Sequence, residues 1–566
     1  MDGTRSRGSL RSLVLVLAAV AILIGIGARV ANLNAPLFWQ DEAYTALRTT
    51  GHLQEDYLKL FDGRMHRVAD VRAFETLDPA RGVPAVVTAL AHEDPHHSPL
   101  FYALDRMWIG AFGTSPAGFR GLSAALGIVA IGLAFALGTT LFRSRIGGAV
   151  AASLFAISPI FVVYARQARE YALFSCAIML ATLALVRALR TGGFVAWFAY
   201  ALGVALGFYV DPIFALVVAG HAVTVVLQPG AMSARVRGFA TWAAATVAGG
   251  LAFVPWALNA FASRGNISDQ LDWGANGYPL KALAQKWTFN VGALFFDGEF
   301  RTLLLAPIAI AIVLVVLALV ANFVRRGDRA IARVLVPFGV ATFVVLVGRD
   351  ALFHSHFSVI ARYLTPMWIA ALFVCAAMLF AAMQTPRTRV PATSLWAVLL
   401  CAGIASIGLR GFAENWWDNN DQIAYQAVAR EIDDVPSPVM VSERHPHVPL
   451  VMARYLRATD DIVLFQGPVP ALPGDRDAFV VAPSPETLAA LSARSRGRYD
   501  VVNVSPKMRT IIASFHKDVL GATKTVHQDY TVAFVPENAL WLLRPVHRTA
   551  GGSVDRAMRV LARKTR

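Results

Sequence analysis

Long apolar runs separated by short basic segments dominate this sequence of 566 residues. Hydrophobic residues make up 56% of the chain and charged residues only 16%, whereas a soluble protein carries about 25% charged residues. A helix of about 20 apolar residues spans the hydrocarbon layer of a bilayer and satisfies its own backbone hydrogen bonds there. The pattern therefore predicts an all-α polytopic membrane protein.

Eleven apolar runs have the composition expected of transmembrane helices. They lie near residues 11–32, 119–141, 146–164, 171–189, 194–210, 212–228, 238–259, 302–323, 333–348, 359–383 and 391–411. The first run follows a basic N-terminus, and polar and aromatic residues follow it where a secretory signal would have a small-residue cleavage site. We therefore interpret it as a retained helix.

The arginines between these runs predict the topology. If the N-terminus is cytoplasmic, every connection on the cytoplasmic side is basic, as the positive-inside rule requires. These connections contain Arg143 and Arg145, then Arg187 and Arg190, Arg235 and Arg237, Arg325, Arg326, Arg329 and Arg333, and Arg387 and Arg389. The net charge of +15 therefore reflects membrane topology, and we reject nucleic-acid binding as its explanation.

One further apolar segment, 99–112, tests this topology. It is short and carries Asp105 and Arg106. Counting it as a transmembrane helix would place every later basic connection on the outside. We therefore predict an amphipathic helix that lies along the outer membrane interface, where its tryptophan and tyrosine are favourable.

The remaining segments define the predicted domains. A transmembrane domain covers residues 1–411 and includes two long extracytoplasmic loops, 33–118 and 260–301. An extracytoplasmic domain covers residues 412–566, where β-rich runs alternate with helical stretches, so we predict a small α/β fold. The β-rich runs are VMVS, DIVLFQ, AFVVAP, YDVVNV, TVAFV and ALWLL, and the helical stretches are 447–458 and 485–495.

Two adjacent acids, Asp41 and Glu42, follow the first apolar run within the segment NAPLFWQDEAYTAL. A carboxylate held close to the membrane surface can act as general base on an acceptor hydroxyl. The alternative is structural: Asp41 caps a short interfacial helix and Glu42 stabilises its first turn.

Several arginines lie at the predicted outer ends of the helices. They are Arg29, Arg120, Arg166, Arg169, Arg349 and Arg362. Cations beside the hydrocarbon layer on the outer side indicate an anionic partner. Arg166 and Arg169 are three residues apart, so they could share one helical face and converge on a ligand. The alternatives are interaction with lipid phosphates and pairing with Glu170.

The segment HEDPHHSPLFYAL brings Glu93, Asp94, His96 and His97 together. Histidines beside acids suggest a metal site, yet this spacing matches no helical ligand pair. We predict no metal requirement, although a divalent metal remains compatible with the sequence. No other cofactor is expected, because the chain has neither a P-loop motif nor a dinucleotide-binding fingerprint.

Two other positions have both a functional and a structural interpretation. His354 and His356 are ligand contacts or ordinary interface residues. Asp211 precedes Pro212 between two apolar runs, which is typical of a turn and a helix cap.

Five segments, in order, resemble the GT-C glycosyltransferases of the family-39-like group, which includes protein O-mannosyltransferases and lipid A aminoarabinose transferases. The segments are FWQDEAYTAL, HHSPLFYAL with FGTSPAGFRGLSAALG, SPIFVVYARQAREYAL, LGFYVDPIFAL and ARYLTP. The resemblance covers roughly residues 11–370. It implies a polyprenyl-phosphate-sugar donor that enters from the bilayer, and inversion at the anomeric carbon.

The resemblance also implies roles for individual residues. It makes Asp41 and Glu42 the catalytic carboxylates, with Asp41 as general base and Glu42 orienting Asp41 or the acceptor. It matches Arg120, Arg166, Arg169, Tyr171, Arg362 and Tyr363 to family residues, which we assign to donor phosphate binding, and it matches His97 to a family segment. From the residues themselves we add Asp94, His354 and His356 to His97 as an acceptor or donor pocket. Ser98 replaces a proline of the family pattern. Two further departures matter: the stretch between Glu42 and His97 is longer than in the family, which affects the acceptor pocket, and Asp105 is an acid where the family's interfacial helix is usually neutral.

We therefore predict a glycosyltransferase, of hexosyl or pentosyl type, in a bacterial plasma membrane. It would transfer a sugar from a polyprenyl-phosphate donor to a glycan, lipid or protein on the extracytoplasmic side. The alternative is a multi-span transporter or lipid flippase. Against it, the sequence shows no inverted repeat and no charges at mid-membrane depth.

Overall fold

The computed structural model divides the chain into two compact units. The helical unit comprises Met1–Pro36 and Gly82–Glu414, and the sheet unit comprises Leu37–Arg81 and Asn415–Arg566. The structure describes residues 2–265, 274, 277–297, 305–411, 425, 428, 429, 432, 433, 435–443, 446–472, 474–481, 483–494, 498–503 and 540–545.

The described elements are mostly α-helices. In chain order they are α1 Asp2–Val30, α2 Gln40–Thr49, α3 Gln54–Leu58, β1 Asp62–Arg67, α4 Val68–Ala73, α5 Val83–Glu93, α6 Leu100–Phe112, α7 Pro116–Phe142, α8 Arg145–Ile157, α9 Pro159–Tyr164, α10 Tyr171–Thr191, α11 Phe194–Val210, α12 Phe214–Val226, α13 Met232–Ala262, α14 Leu280–Ala293, α15 Leu305–Arg326, α16 Arg329–Phe353, α17 Thr365–Gln384, α18 Arg389–Gly411, β2 Val439–Glu443, α19 His447–Ala453, β3 Asp461–Phe465, β4 Ala478–Val481, α20 Pro485–Arg494, β5 Tyr499–Asn503 and β6 Leu540–Pro545.

The helical unit has an apolar helix at each of the predicted positions, which confirms the fold class. Among the described residues, eight helices are long and apolar enough to cross a membrane. They are Arg11–Val30, Pro116–Phe142, Tyr171–Thr191, Met232–Ala262, Pro307–Arg326, Arg329–Phe353, Ala361–Gln384 and Arg389–Leu409. Three shorter apolar helices, Arg145–Ile157, Phe194–Val210 and Phe214–Val226, occupy the other three predicted positions.

The segment excluded as a transmembrane helix forms α6, which has 13 residues. Two other apolar helices, α8 and α12, are equally short, but α6 differs from them because it carries the charged residues Asp105 and Arg106 at its middle. Its buried face includes Phe101, Tyr102, Asp105 and Ile109. The helix therefore brings the Tyr102 hydroxyl into the helical unit, and its position along the membrane interface stays a prediction.

Small residues let the helices of this unit approach closely. A Cβ atom on Gly25 of α1 would lie 2.4 Å from the carbonyl oxygen of Ala156 in α8. One on Gly127 of α7 would lie 2.5 Å from the Cβ of Ala165. Close backbone approach at glycine is typical of membrane helix packing. Here it brings α1 against α8, and α7 against the segment that follows α9.

A buried polar cluster joins helices α10 to α13. The Nε2 atom of His221 lies 3.2 Å from the Thr182 hydroxyl, and its Nδ1 atom lies 3.2 Å from the Tyr200 hydroxyl. The indole nitrogen of Trp242 donates to the same Tyr200 hydroxyl at 2.9 Å. Polar groups inside a membrane bundle need partners of this kind, so the cluster specifies how these four helices pack.

The sheet unit contains a six-stranded sheet with strand order β1-β3-β2-β4-β6-β5. Strands β3, β2 and β4 are parallel, and the other pairs are antiparallel. Inward-facing residues such as Val441, Val463 and Val480 form its core. This confirms the predicted C-terminal α/β region. The predicted run TVAFV lies outside the described residues.

The sheet unit differs from the predicted domain boundary at residue 411 because it also includes Leu37–Arg81. Strand β1, from the predicted first loop, pairs antiparallel with β3, with Met65 opposite Val463. Its sequence, DGRMHR, is polar and largely exposed. An edge strand without apolar alternation gives no periodic pattern, which explains why the sequence did not reveal it.

Hydrogen bonds join the two parts of the sheet unit around α19. The Tyr57 hydroxyl donates to the carbonyl of Pro446 at 2.9 Å, and the Phe38 amide donates to the Tyr455 hydroxyl at 3.0 Å. The Arg72 Nε donates to the carbonyl of Ala453 at 2.7 Å. The residues on either side of α2 are therefore held by the C-terminal part of the chain.

The Arg454–Glu75 ion pair should stabilise the sheet unit. Arg454 Nε lies 2.8 Å from Glu75 Oε2, and its guanidinium lies 3.7 Å from the centre of the Phe38 ring. Burial raises the pKa of Glu75, and Arg454 opposes that rise. Arg454→Met should lower the free energy of unfolding by about 3 kcal/mol, because it leaves a buried carboxylate unpaired. Thermal unfolding of the purified protein in detergent measures this loss.

The double variant Arg454→Met, Glu75→Leu is the control for this experiment. It removes both charges, so most of the lost stability should return. If Arg454→Met alone unfolds at the wild-type temperature, the ion pair does not contribute to stability.

Candidate active site

The predicted phosphate-binding arginines Arg166 and Arg169 lie on a short non-helical segment, residues 165–170, between α9 and α10. The structure therefore differs from the predicted shared helical face, and the two side chains bind different partners. The Ser123 hydroxyl of α7 donates to the Arg169 carbonyl at 2.9 Å and holds the segment in place. Both arginine side chains are buried.

Three of the predicted arginines bind backbone carbonyls near the end of α1. Arg29 Nη1 donates to the carbonyl of Ala156 at 2.6 Å. Arg120 Nη1 donates to the carbonyls of Leu33 at 2.6 Å and Pro36 at 3.0 Å.

Arg166 Nη1 donates to the carbonyl of Ala28, in the last turn of α1. Such carbonyls have no partner within the helix and favour cations. Burial and the nearby Arg120 lower the pKa of Arg166 to about 10, so it stays charged at neutral pH.

Arg169 has a different environment, made of side chains. Its Nη2 lies 3.1 Å from Glu170 Oε1 and 3.4 Å from His97 Nε2, and its Nη1 donates to the Tyr102 hydroxyl at 3.2 Å. Its guanidinium carbon lies 5.7 Å from the centre of the Tyr171 ring. The pairing with Glu170, which the sequence left as an alternative, is thus present. Tyr102 lies within the quoted segment HHSPLFYAL, but the sequence analysis interpreted it only as an interface residue and not as a partner of Arg169.

His97 is neutral at physiological pH in this environment. Burial of its ring holds the pKa of His97 well below its usual value, and the neighbouring His96 adds to the lowering. Asp94 opposes this shift, while the charges of Arg169 and Arg362 contribute to it. The influence of Arg362 places this predicted residue within electrostatic range of His97.

Asp94, His96 and His97 could hold a divalent metal ion. Their potential ligand atoms all lie within 4.8 Å of one another. His96 Nδ1 also lies 2.9 Å from Asp94 Oδ1, so these two side chains already form an ion pair when His96 is protonated. The nearby arginines oppose a bound cation by charge repulsion. A metal-free site therefore remains our prediction.

Asp211, interpreted from the sequence as a turn residue, does cap the turn between α11 and α12. Its Oδ1 accepts a hydrogen bond from the Ile213 amide at 2.8 Å. Burial raises the pKa of Asp211 to about 7, with a further rise from Glu170 and opposing effects from Arg169 and His96. The carboxyl group therefore lies within electrostatic range of the Arg169 cluster, a proximity that the sequence does not show.

The loop with His354 and His356 is organised by Asp350, which the sequence analysis did not single out. Asp350 accepts hydrogen bonds from the Ser355 hydroxyl at 2.6 Å and from the amides of Phe357 at 2.8 Å and Ser358 at 2.7 Å. His354 is exposed in a left-handed backbone conformation.

His356 is buried and stacks on Tyr278, with ring centres 4.3 Å apart. This contact packs the loop against Tyr278 of the second predicted extracytoplasmic loop, 260–301. Arg362 and Tyr363 follow in a 3₁₀ turn, and the Arg362 guanidinium lies 5.3 Å from the centre of the Tyr363 ring.

Asp41 and Glu42 belong to the sheet unit and lie in the first turn of α2. Asp41 is partly exposed, and Glu42 is fully buried. The N-cap of α2 is Trp39, so the predicted capping role of Asp41 is wrong. The other part of the structural alternative is compatible with the structure, because an acid in the first turn can stabilise a helix. Their chemical roles remain predictions.

The comparison with protein families covers part of the site. Residues 96–258 match the family described as dolichyl-phosphate-mannose-protein mannosyltransferase. This range contains His97, Arg120, Arg166, Arg169 and Tyr171. No curated protein matches the chain significantly in sequence.

Several solved structures are similar to this one. ArnT from Cupriavidus metallidurans bound to undecaprenyl phosphate has a TM-score of 0.46 and 12% identity, over 85% of this chain and 95% of that one. Its apo form has a TM-score of 0.48 and 12% identity, over 86% and 95%. The Archaeoglobus fulgidus oligosaccharyltransferase in complex with Zn and sulfate has a TM-score of 0.40 and 15% identity, over 78% and 62%. Eight described helices are long and apolar enough to cross a membrane, so the chain is a multi-pass membrane protein, and over residues 96–258 it is similar to this mannosyltransferase family, as its motifs indicated.

Proposed function

We propose that this protein transfers a sugar from a polyprenyl-phosphate donor to an acceptor on the extracytoplasmic side of a bacterial plasma membrane. The observation that carries the proposal is the environment of Arg169, a buried guanidinium held by Glu170, His97 and Tyr102. It lies within residues 96–258, which match a family of lipid-phosphate-dependent mannosyltransferases.

This environment suits a leaving phosphate. When the bond between the sugar and the phosphate breaks, negative charge grows on the phosphate oxygens. Donors that are already oriented stabilise such a charge best, because they need no rearrangement during the reaction. Three side chains hold Arg169 in one orientation, and its planar guanidinium matches phosphate geometry. Arg362 adds a second positive charge near His97.

Glu170 and His97 have supporting roles in this scheme. Glu170 would orient Arg169 through their 3.1 Å ion pair, and it limits the local excess of positive charge before the donor arrives. A neutral His97 can donate one hydrogen bond without adding charge. Arg120 and Arg166 act differently in our proposal: they anchor the end of α1 through backbone carbonyls.

Asp41 would be the general base. In a single displacement, the acceptor oxygen forms a bond to the anomeric carbon while the bond to the phosphate oxygen breaks. The acceptor proton passes to Asp41, and the electron pair of the broken bond remains on the phosphate. One displacement inverts the configuration of that carbon. Glu42 is fully buried and directly follows Asp41 in the chain, and it would support the orientation of Asp41.

A transfer assay in proteoliposomes tests this function. The purified protein is reconstituted with a polyprenyl-phosphate donor labelled in its sugar, together with an envelope lipid and glycan extract or a peptide mixture. The expected result is a labelled acceptor and free polyprenyl phosphate in equal amounts. Movement of the intact donor between the leaflets, without label in any acceptor, would support a flippase and contradict the proposal.

A further inference from the structure

Gln167 is a buried side chain whose polar groups are unused. It lies between the two arginines of the segment ARQARE, and only 4% of its surface is exposed. Within the part of the chain that the structure describes, neither its side-chain oxygen nor its side-chain nitrogen has a hydrogen-bond partner. A buried amide of this kind is uncommon in a folded protein and costs free energy.

The same segment carries a second group of this kind. Glu170 Oε1 contacts Arg169, but no described residue donates a hydrogen bond to its buried Oε2. The Gln167 side chain thus offers a donor group, its NH₂, and an acceptor group, its carbonyl oxygen, and Glu170 Oε2 is a further acceptor. Both belong to the non-helical turn that also carries Arg169.

This set of groups indicates the chemistry of the missing partner. A phosphate only accepts hydrogen bonds, so it would leave the Gln167 oxygen unpaired and would be repelled by Glu170. A hydroxyl both donates and accepts, and it satisfies an amide and a carboxylate equally well. A neutral polyhydroxylated group is therefore the chemistry that fits.

We propose that Gln167 binds a hydroxyl group of the donor sugar, next to the phosphate that Arg169 would hold. This inference rests on the proposed function and makes it more specific: the donor carries a free hydroxyl at the position that Gln167 recognises. A site built around a hydroxyl discriminates strongly against a deoxy analogue, because the analogue leaves buried polar groups unpaired.

The substitution Gln167→Leu tests the proposal through two opposite effects. Leucine has a similar size and no polar group, so the melting temperature should equal or exceed that of the wild type. The kcat/KM for the donor should fall at least about tenfold, since one hydrogen bond to the sugar is lost. A purely structural role for Gln167 would lower the melting temperature and transfer together.

Deoxy donors identify the interaction itself. The wild type should discriminate against one deoxy position of the sugar, and Gln167→Leu should lose that discrimination. Gln228→Leu is the matched control, because the Gln228 amide already donates to the carbonyl of Thr224 at 3.0 Å. This variant should keep the wild-type preference. If Gln167→Leu also keeps it, a buried water occupies the site and the proposal is wrong.

A binding measurement separates this inference from the proposed function. Polyprenyl-phosphate sugar should raise the melting temperature of the wild type more than polyprenyl phosphate does, and Gln167→Leu should abolish the difference. If the difference persists in a protein that transfers sugar, only the role of Gln167 is refuted. If the wild type binds neither lipid and transfers nothing, the proposed function fails as well.

Discussion

Asp41→Asn is expected to lower the rate of sugar transfer by about 10²- to 10⁴-fold, the usual contribution of a general base. Asparagine has nearly the same shape and cannot take a proton from the acceptor. It is also well tolerated at a helix start, so α2 and the sheet unit should remain folded. Steady-state transfer in proteoliposomes, with the melting temperature of the same preparation, measures both properties.

Asp56→Asn provides a matched control within the same unit. Asp56 also lies in the first turn of a helix, α3, and pairs with Lys59 at 2.6 Å on the surface. Its replacement should leave transfer unchanged. Turnover by Asp41→Asn within about threefold of the wild type would refute the base assignment and favour the structural alternative, in which Asp41 only stabilises α2.

The helices of the helical unit could be predicted well, because each one follows from the length and composition of its own apolar run. Each apolar run has the length a membrane helix needs, whichever partners it finds. One wrong prediction within this unit also concerned the local course of the backbone. The predicted helix 146–164 is divided into α8 and α9 at Ser158, which has an extended backbone. Pro159 disfavours the helical conformation for the residue before it, so the sequence did contain this information.

The composition of the sheet unit could not be predicted in the same way. Strand β1 and residues 446–465 are separated by almost four hundred residues, and their pairing follows no periodic pattern. The contact between Arg454 and Glu75 is equally non-local. As a result, the sequence assigned residues 37–81 to a membrane loop, whereas the structure makes them part of an α/β unit.

For the site, the sequence identified the residue types better than their partners. Motifs pointed to His97, Arg169 and Arg362, and the structure places His97 3.4 Å from Arg169 and within electrostatic range of Arg362. They also grouped Arg120 and Arg166 with the phosphate-binding arginines. The partners of these two are backbone carbonyls, which every residue carries and no sequence pattern can distinguish.

Arg169→Ala is expected to lower kcat/KM for the donor by about 10²- to 10³-fold, comparable to the loss of one charge-stabilising donor in other enzymes. Arg169→Lys should recover only part of this, because an ammonium group restores the charge without the planar fork. The KM for the acceptor should stay near the wild-type value, and inhibition by the product polyprenyl phosphate should weaken. Initial rates at varied donor and acceptor concentrations measure these effects.

Arg166→Ala is the comparison that makes this prediction specific. Arg166 is as buried as Arg169, but its Nη1 binds the carbonyl of Ala28 at the end of α1. Its loss should lower the melting temperature, with little change in donor KM for the protein that remains folded. If both variants lose donor affinity equally, Arg166 also contacts the phosphate and the anchor role is incomplete. If Arg169→Ala changes only the acceptor KM, the phosphate lies elsewhere and Arg169 serves the acceptor.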